Sequence, residues 1–164
     1  MHEEQLQQAQ DAVKIALSAG ASDAWASVSR SREVDFSVRE GKLEEVKDAT
    51  SRSLSLRLYV DGRYARTQTT DLRPEQLASF VSEAVAMTRA LQPDPFRLMP
   101  DPALFEGRSS QDLQRNDSAI RDLTREERLE LCHAQNQLLS GRDKVISATS
   151  ATSDGHSISA EASS

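Results

Sequence analysis

The sequence predicts an α+β fold in which an antiparallel β-meander packs with two or three helices. An amphipathic helical pattern opens the chain, and apolar and polar residues then alternate through residues 23–70. A second amphipathic helical pattern follows. Because alternation gives a strand one buried and one solvated face, it favours antiparallel strands over a doubly wound parallel sheet. Two helices against such a sheet make a two-layer α+β arrangement.

The first helix is predicted over residues 3–19. Glu3 and Glu4 occupy its first turn, where carboxylates interact favourably with the helix dipole, and Gly20 follows as a C′ glycine. The apolar residues on one stripe of this helix are Leu6, Ala9, Val13, Ala16 and Leu17. Ile15 lies off the stripe.

The strand region predicts four or five consecutive strands joined by tight turns. The dipeptides Glu40-Gly41 and Asp61-Gly62 separate predicted strands, and the second is a strong signal for a two-residue hairpin turn. Residues 42–51 form a weaker, more charged strand that we expect at the edge of the sheet. Leu43 and Val46 begin this weaker strand. The apolar positions that alternate with polar residues are Ala24, Ala26 and Val28, then Val34, Phe36 and Val38, and finally Leu54, Leu56, Leu58 and Val60.

The second helix is predicted from Pro74, whose missing N–H is harmless in the first helical turn, to Leu91. Its inward residues are Leu77, Val81, Ala84, Val85, Thr88 and Leu91. Residues 1–91 therefore form the predicted α+β core. Residues 92–123 hold four of the five prolines together with Gly107, Ser109 and Ser110, and show no period. They predict an extended segment on the outside of the domain, pinned by Phe96, Leu98, Leu104 and Phe105.

The last predicted region, residues 124–164, begins with a third helix. Thr124 and Glu127 match a capping box, and Gly141 follows the helix as its stop signal. Leu131, Ala134 and Leu138 form the expected apolar stripe, with Leu129 and Cys132 on its flanks. Residues 145–149 then predict a strand, Asp154-Gly155 a hairpin turn, and residues from Ser157 onward a returning strand. Because that strand stops at Ser164 without a cap or a polar tail, we expect the chain to continue into a carboxy-terminal domain.

Composition excludes several functional classes. The formal net charge is −6, so a nucleic-acid site, which needs a basic surface, is not expected. The recurring arginines alternate with acidic residues and are expected on the solvent face of the sheet: Arg30, Arg32, Arg39, Arg52, Arg57, Arg63 and Arg66. One cysteine permits no internal disulfide. The start of the chain lacks signal-peptide features, and no window is apolar enough to span a bilayer, so a soluble cytoplasmic protein is expected.

The residues capable of chemistry do not form a catalytic pattern. His2, His133 and His156 lack the spacing of a zinc site. Cys132 and His133 are neighbours on a helix and point about 100° apart, which prevents an activated thiolate pair. The carboxylate pairs Glu3-Glu4, Glu44-Glu45 and Glu126-Glu127 are expected to be solvated, and Trp25 and Tyr59 to cover the sheet. The sequence therefore predicts no catalytic, cofactor-binding or metal-binding residue, which leaves enzymatic activity uncertain.

Several short strings follow one another in a distinctive order. They lie in residues 20–24, 38–44, 56–63 and 69–72, at Asp94-Pro95, Asp112-Leu113 and Asp117, and in the third helix with the Ser-rich stretch that follows it. This order resembles the amino-terminal domain of the TldD/PmbA family, whose members are described as metallopeptidases and as modulators of DNA gyrase. Asp94-Pro95 and Asp112-Leu113 are closer to the PmbA (TldE) branch.

This resemblance implies a non-catalytic amino-terminal domain in a complex that degrades flexible peptides. Zinc is expected only in a TldD-like catalytic domain, which carries an HExxxH helix that this sequence lacks. The implied partner is a TldD-like subunit or a second copy of the chain, with no nucleic acid and no membrane. Two alternatives stay open: a protein-binding regulatory module of the gyrase-modulator type, or a fragment of an active TldD-like zinc peptidase.

Overall fold

The computed structural model describes residues 2–107 and 111–164, with the side chain of His2 left out. The predicted α+β class is confirmed: helices pack on an antiparallel four-stranded sheet. The elements in chain order are α1 (His2–Ser18), β1 (Asp23–Arg39), β2 (Lys42–Val60), β3 (Arg63–Thr69), α2 (Pro74–Arg89), a 3₁₀ turn (Pro102–Phe105), α3 (Ser118–Arg121), α4 (Arg125–Gln137) and β4 (Thr149–Ser163). Within the described residues, no helix is long and apolar enough to cross a membrane.

The strands are fewer and longer than predicted. The sheet has the order β3-β2-β1-β4, and β1 and β2 each run where two shorter strands were expected. The reason lies in the phase of β1: its inward residues Val28 and Val34 are an even number of positions apart, so the alternation never changes face. Both predicted turns are present, and all four of their residues have positive φ, the geometry of type I′ turns: Glu40 50°, Gly41 75°, Asp61 49° and Gly62 71°.

The chain divides into two compact units. Unit 1 comprises Met1–Arg30, Ser51–Ser110 and Ile158–Ser164, and unit 2 comprises Ser31–Thr50 and Gln111–Ser157. Strands β1, β2 and β4 each contribute residues to both units. The division of the chain into segments 1–91, 92–123 and 124–164 stays a prediction. The two units are defined by contacts within the chain, so they do not test whether each of these segments folds on its own.

Unit 1 has an aliphatic core between its part of the sheet and the helices α1 and α2. The inward residues of β2, Leu54, Leu56, Leu58 and Val60, are fully buried. Five of the predicted inward residues of α2 are buried, from Leu77 to Thr88. Leu17 and Leu91 were expected on this core but are 39% and 46% exposed. Leu91 lies beyond the last residue of α2, so it no longer follows the helical face.

The Pro-rich segment of unit 1 is held by contacts other than those predicted. Phe105 packs edge-on against Trp25, with ring centroids 5.5 Å apart, and the Asp94 N–H donates to the Gly62 carbonyl at 2.9 Å. The other three expected anchors are exposed, namely Phe96 (92%), Leu98 (74%) and Leu104 (74%). Prolines limit how this backbone can bend, so only one of the four apolar side chains reaches the sheet. Ser109 and Ser110 lie outside the described residues.

Unit 2 is built around α4, and its capping box is confirmed. The Thr124 hydroxyl accepts from the Glu127 N–H at 3.2 Å, and the Glu127 carboxylate accepts from the Thr124 N–H at 2.7 Å. The predicted apolar stripe is wrong, since Leu131 and Leu138 are 48% and 66% exposed and Ala134 is also exposed. The buried residues of α4 are instead Arg128, Cys132 and Asn136.

The predicted terminal hairpin is also wrong. Residues 149–163 form one strand, β4, which passes through Asp154-Gly155 without turning. A Cβ on Gly155 would lie 3.7 Å from the Arg32 carbonyl oxygen, and Asp154 turns its carboxylate toward Arg128. A Cβ at that distance would make ordinary van der Waals contact, so Gly155 is one residue of an extended strand and is not a turn residue. Val145 and Ile146 precede the strand, and Ile146 is 98% exposed.

Candidate functional site

The residues that could carry out chemistry lie apart. His133 on α4 and His156 on β4 are both half-buried, and the described residues contain no group of three His, Cys, Asp or Glu side chains that could hold a metal ion. The Cys132 thiol is fully buried, 3.7 Å from the Phe36 carbonyl and 3.4 Å from the Thr152 hydroxyl. The three carboxylate pairs are exposed as expected. That these residues form no catalytic or cofactor site stays a prediction.

The most distinctive surface is the stretch of β2 that extends past the end of β3. The β2–β3 ladder begins at Leu54, opposite Thr69, so residues 42–50 lie beyond it. Every residue from 42 to 50 is exposed. We call residues 42–50 the β2 edge. Because a strand at the edge of a sheet presents backbone N–H and C=O groups on its open side, the β2 edge can accept a further strand.

Ion pairs connect the β2 edge to β1. Arg32 donates to both carboxylate oxygens of Asp48, at 2.9 and 2.7 Å. Lys47 lies 3.3 Å from Asp35 and 3.6 Å from Glu33. The guanidinium of Arg32 lowers the pKa of Asp48 through these hydrogen bonds. The pKa of Asp35 is lowered as well, first by the hydroxyl of Ser153 at 2.6 Å and then by Lys47.

The turn that begins the β2 edge is fixed by Asn136 of α4. Its Oδ1 accepts from the Gly41 N–H at 3.0 Å, and its Nδ2 donates to the Ala148 carbonyl at 2.9 Å. The Glu40 N–H donates to the same carbonyl at 3.0 Å. Asn136 is 2% exposed, so these bonds form away from solvent. One buried amide thus sets the position of the turn from which the edge starts.

A buried ion pair supports α4 in unit 2. Arg128 donates to the two carboxylate oxygens of Asp154 at 2.5 and 2.8 Å, and also to the carbonyls of Leu123 and Thr124. Its side chain is 4% exposed. The hydrogen bond that Arg128 donates to the Asp154 carboxylate raises the pKa of Arg128, so the guanidinium stays charged. Sequence reasoning missed Arg128, Asn136 and Asp154, although Arg128, Cys132 and Asn136 recur every four residues along one helical face.

The arrangement has the physical requirements for adding a strand. A free strand edge forms main-chain hydrogen bonds that do not depend on the sequence of the added segment. Rigid support lowers the entropic penalty of such binding, and the ion pairs to β1 and the fixed turn provide it here. Leu43 and Val46, each 41% exposed, offer apolar contact beside charged neighbours.

Comparison with protein families agrees with this fold. Residues 26–88, which include the whole β2 edge, match the model of the PmbA/TldA metallopeptidase domain 1. These residues are therefore similar to a PmbA/TldD-type first domain. The recognition of the TldD/PmbA family from the sequence is therefore confirmed, while its preference for the PmbA branch stays a prediction.

Three solved structures share the fold. A proposed modulator of DNA gyrase from Bacteroides thetaiotaomicron is 28% identical, with a TM-score of 0.88 over 96% of this chain and 36% of that one. A proposed gyrase modulator from Thermotoga maritima is 13% identical, with a TM-score of 0.74 over 96% of this chain and 34% of that one. TldE from Thermococcus kodakarensis is 14% identical, with a TM-score of 0.68 over 94% of this chain and 34% of that one.

The chain therefore spans about a third of the length of these structures. The last two, at their low identity, support the fold alone. No protein of curated function matches the chain.

Proposed function

We propose that this chain is the non-catalytic amino-terminal domain of a PmbA/TldE-like subunit in a cytoplasmic TldD/TldE-type metallopeptidase complex. In this proposal it forms part of the wall that encloses flexible peptide substrates, or part of the contact with a TldD-like subunit or a second copy. Zinc belongs to the TldD-like catalytic domain. The match of residues 26–88 to a metallopeptidase first domain is the observation that carries the proposal.

The β2 edge is the surface that would perform this role. A cavity for unfolded peptides needs contacts that tolerate many sequences, and main-chain hydrogen bonds at a strand edge meet that need. Residues 42–50 are exposed, and they are held by ion pairs to β1 on one side only. Either an extended substrate or a strand of the partner subunit can pair with the other side.

A proline at the centre of the β2 edge tests this role. The two-residue turn at Glu40-Gly41 makes Arg39 and Lys42 the closing pair, and hydrogen-bonded pairs then alternate along the hairpin. By that alternation the backbone N–H of Glu45 points to the open side. Glu45→Pro removes this donor, and Glu45→Ala is the matched control that keeps it. Binding of an unstructured peptide and assembly with the TldD-like subunit of the same genome are the measurements.

We expect Glu45→Pro to weaken peptide binding or assembly about tenfold, the effect of losing one buried main-chain hydrogen bond, while Glu45→Ala changes neither. Circular dichroism establishes that both variants remain folded. If Glu45→Pro behaves like the unaltered chain in both assays, the β2 edge has no such role.

A second candidate is a regulatory module that binds a protein partner such as a topoisomerase. It is favoured by the 28% identical structure, which is described as a modulator of DNA gyrase. Affinity capture with the folded chain separates the two, since recovery of a TldD-like subunit supports the first proposal and recovery of gyrase supports the second. A third reading, an active TldD-like zinc peptidase, requires an HExxxH motif in the reading frame after Ser164.

A further inference from the structure

Strand β3 provides a second open edge, in unit 1. It is the outermost strand of the sheet and pairs with β2 from Val60↔Arg63 to Leu54↔Thr69. In a two-residue hairpin the closing pair exchanges two hydrogen bonds, and such pairs alternate with pairs that exchange none. The backbone groups of Arg63, Ala65, Thr67 and Thr69 therefore point toward β2. Those of Tyr64, Arg66 and Gln68 point outward, away from the sheet.

An apolar groove runs beside this edge. It encloses about 410 Å³ between Ala65 and Thr67 of β3 and Phe80, Ala84, Met87 and Leu91 of the α2 region. The inward side chains of β2 are fully buried in the core that α1 and α2 share, whereas Ala65 and Thr67 on the same face are only half-buried. Met87 is 72% exposed and Leu91 46%. Helix α2 therefore contacts β3 but covers the groove-facing residues of this edge strand only in part.

An open strand edge and an apolar groove lie side by side here, and together they limit the shape of a ligand that can bind. A peptide that adds to β3 as a strand would satisfy the outward groups of Tyr64, Arg66 and Gln68, and every second side chain would point toward the groove. The volume of the groove suits one or two apolar side chains. Shape and hydrogen bonding therefore both favour an extended segment over a helix.

Charge decides between a peptide and a second copy of this chain. Strand β3 carries Arg63 and Arg66 and no acidic residue. The guanidinium of Arg66 donates to the Ser55 hydroxyl at 3.2 Å, which leaves several of its five N–H groups for a ligand. Two copies paired through β3 would place arginines near arginines, and like charges across strands are destabilising. Glu83, which also lines the groove, lies on the helix side.

We propose that the groove between β3 and α2 binds an extended, acidic peptide segment, which adds to the sheet beyond β3 and inserts an apolar side chain beside Met87. This site is separate from the β2 edge, and the proposal does not rest on the proposed function. Binding there gives the domain a docking site for a partner segment while the β2 edge stays open.

The test is an NMR titration of the isotope-labelled chain. The probe is a peptide as long as β3 in which glutamate alternates with leucine, and the matched probe has lysine in place of every glutamate. We expect amide signals of Tyr64, Arg66, Gln68 and Met87 to shift with the acidic probe, and its affinity to exceed that of the lysine probe about tenfold or more. Shifts confined to residues 42–50, or equal affinity of the two probes, would overturn the proposal.

Two variants with matched controls examine the groove directly. Gln68→Pro removes an outward N–H at an edge position that tolerates proline, and Gln68→Ala retains it. Met87→Glu places a charge in the groove, and Leu138→Glu places one on a residue of unit 2 that follows α4 and is 66% exposed. We expect Gln68→Pro and Met87→Glu to weaken binding about tenfold and both controls to bind normally. Normal binding by both test variants, or dimerisation through β3 seen by sedimentation, refutes the proposal.

Discussion

The two units of this chain are ordered by different interactions. Unit 1 buries sixteen small and aliphatic residues in one cluster between its helices and its part of the sheet. In the described part of unit 2 the corresponding cluster has four buried members, namely Val34, Phe36, Val38 and Cys132. Alongside them it buries Arg128, Asn136 and Ser150. The first unit thus relies on apolar area, and the second combines a small core with oriented polar contacts.

This difference has consequences for how each unit tolerates change. Apolar burial is non-directional, so a core of many small contributions loses stability in proportion to what is removed. A buried ion pair depends on geometry, and removing one partner leaves the other charge without compensation. Unit 2 also carries the β2 edge, so the polar contacts that order it hold the candidate binding surface in place.

The largest expected effect is in the core of unit 1. Leu56 of β2 is fully buried, and Leu56→Ala should lower the free energy of unfolding by about 4 kcal/mol through lost burial and an unfilled cavity. The matched change Leu131→Ala affects a residue of α4 that is 48% exposed, and should lower it by about 0.5 kcal/mol. Urea denaturation measures both. Similar losses at the two positions would contradict the assignment of the core to the β2 face.

The buried ion pair of unit 2 is the next test. Arg128→Ala leaves the Asp154 carboxylate, whose side chain is 19% exposed, without its partner and frees the carbonyls that Arg128 binds. We expect a loss of about 3 kcal/mol, near the low end for breaking a buried pair because Asp154 keeps some solvent access. Arg121→Ala is the control, since its pair with Asp122 is exposed and should contribute less than about 1 kcal/mol.

Arg128→Lys separates charge from geometry. Lysine keeps the positive charge but lacks the planar fork that binds both oxygens of Asp154 while also reaching a carbonyl. We therefore expect it to recover less than half of the loss caused by Arg128→Ala. Hydrogen exchange should show faster opening of residues 31–39 than of residues 54–60 in both variants. Full recovery by lysine would mean that charge alone orders unit 2.

The same contrast explains how far the sequence predicted the structure. In unit 1, apolar periodicity identified α1, α2 and the buried face of β2, and Asp61-Gly62 identified its turn. Periodicity works there because the buried residues are apolar. Val28 and Val34 have the same phase, so the periodicity is also consistent with the single strand β1, although four or five shorter strands were predicted.

In unit 2 the sequence was a weaker guide. The capping box at Thr124 and Glu127 was predicted correctly because it depends on local geometry alone. The buried face of α4 was not, because Arg128 and Asn136 resemble surface residues until their partners are known. The turn predicted at Asp154-Gly155 was wrong for a similar reason, because Asp154 pairs with Arg128 within a continuous strand and the dipeptide alone does not reveal that partner. The β2 edge was predicted from its charge and weak alternation, but its attachment to Asn136 had no sequence signal.

The smallest expected effect concerns the capping box of α4, which the sequence predicted correctly. The Glu127 carboxylate accepts from the Thr124 N–H and hydroxyl at the start of α4, and these bonds lower its pKa, the backbone bond most of all. A carboxyl group with a lowered pKa in the folded state stabilises that state above the pKa it has when unfolded, about 4.3. This contribution is lost as the pH falls through the folded-state pKa.

Glu127→Gln keeps the capping geometry, since glutamine also serves in a capping box, but removes the charge. We expect the variant to be slightly less stable than the unaltered chain near neutral pH, and the difference to vanish as the pH falls below about 4. The control is Glu126→Gln, which removes a charge from the same first turn but not from the capping box. Urea midpoints measured from pH 7 down to about pH 3 give the comparison. If the two variants show the same pH dependence, the helix dipole and not the cap accounts for the charge effect. Helix α4 would then resemble α2, whose N-cap residue Arg73 makes no side-chain cap hydrogen bond.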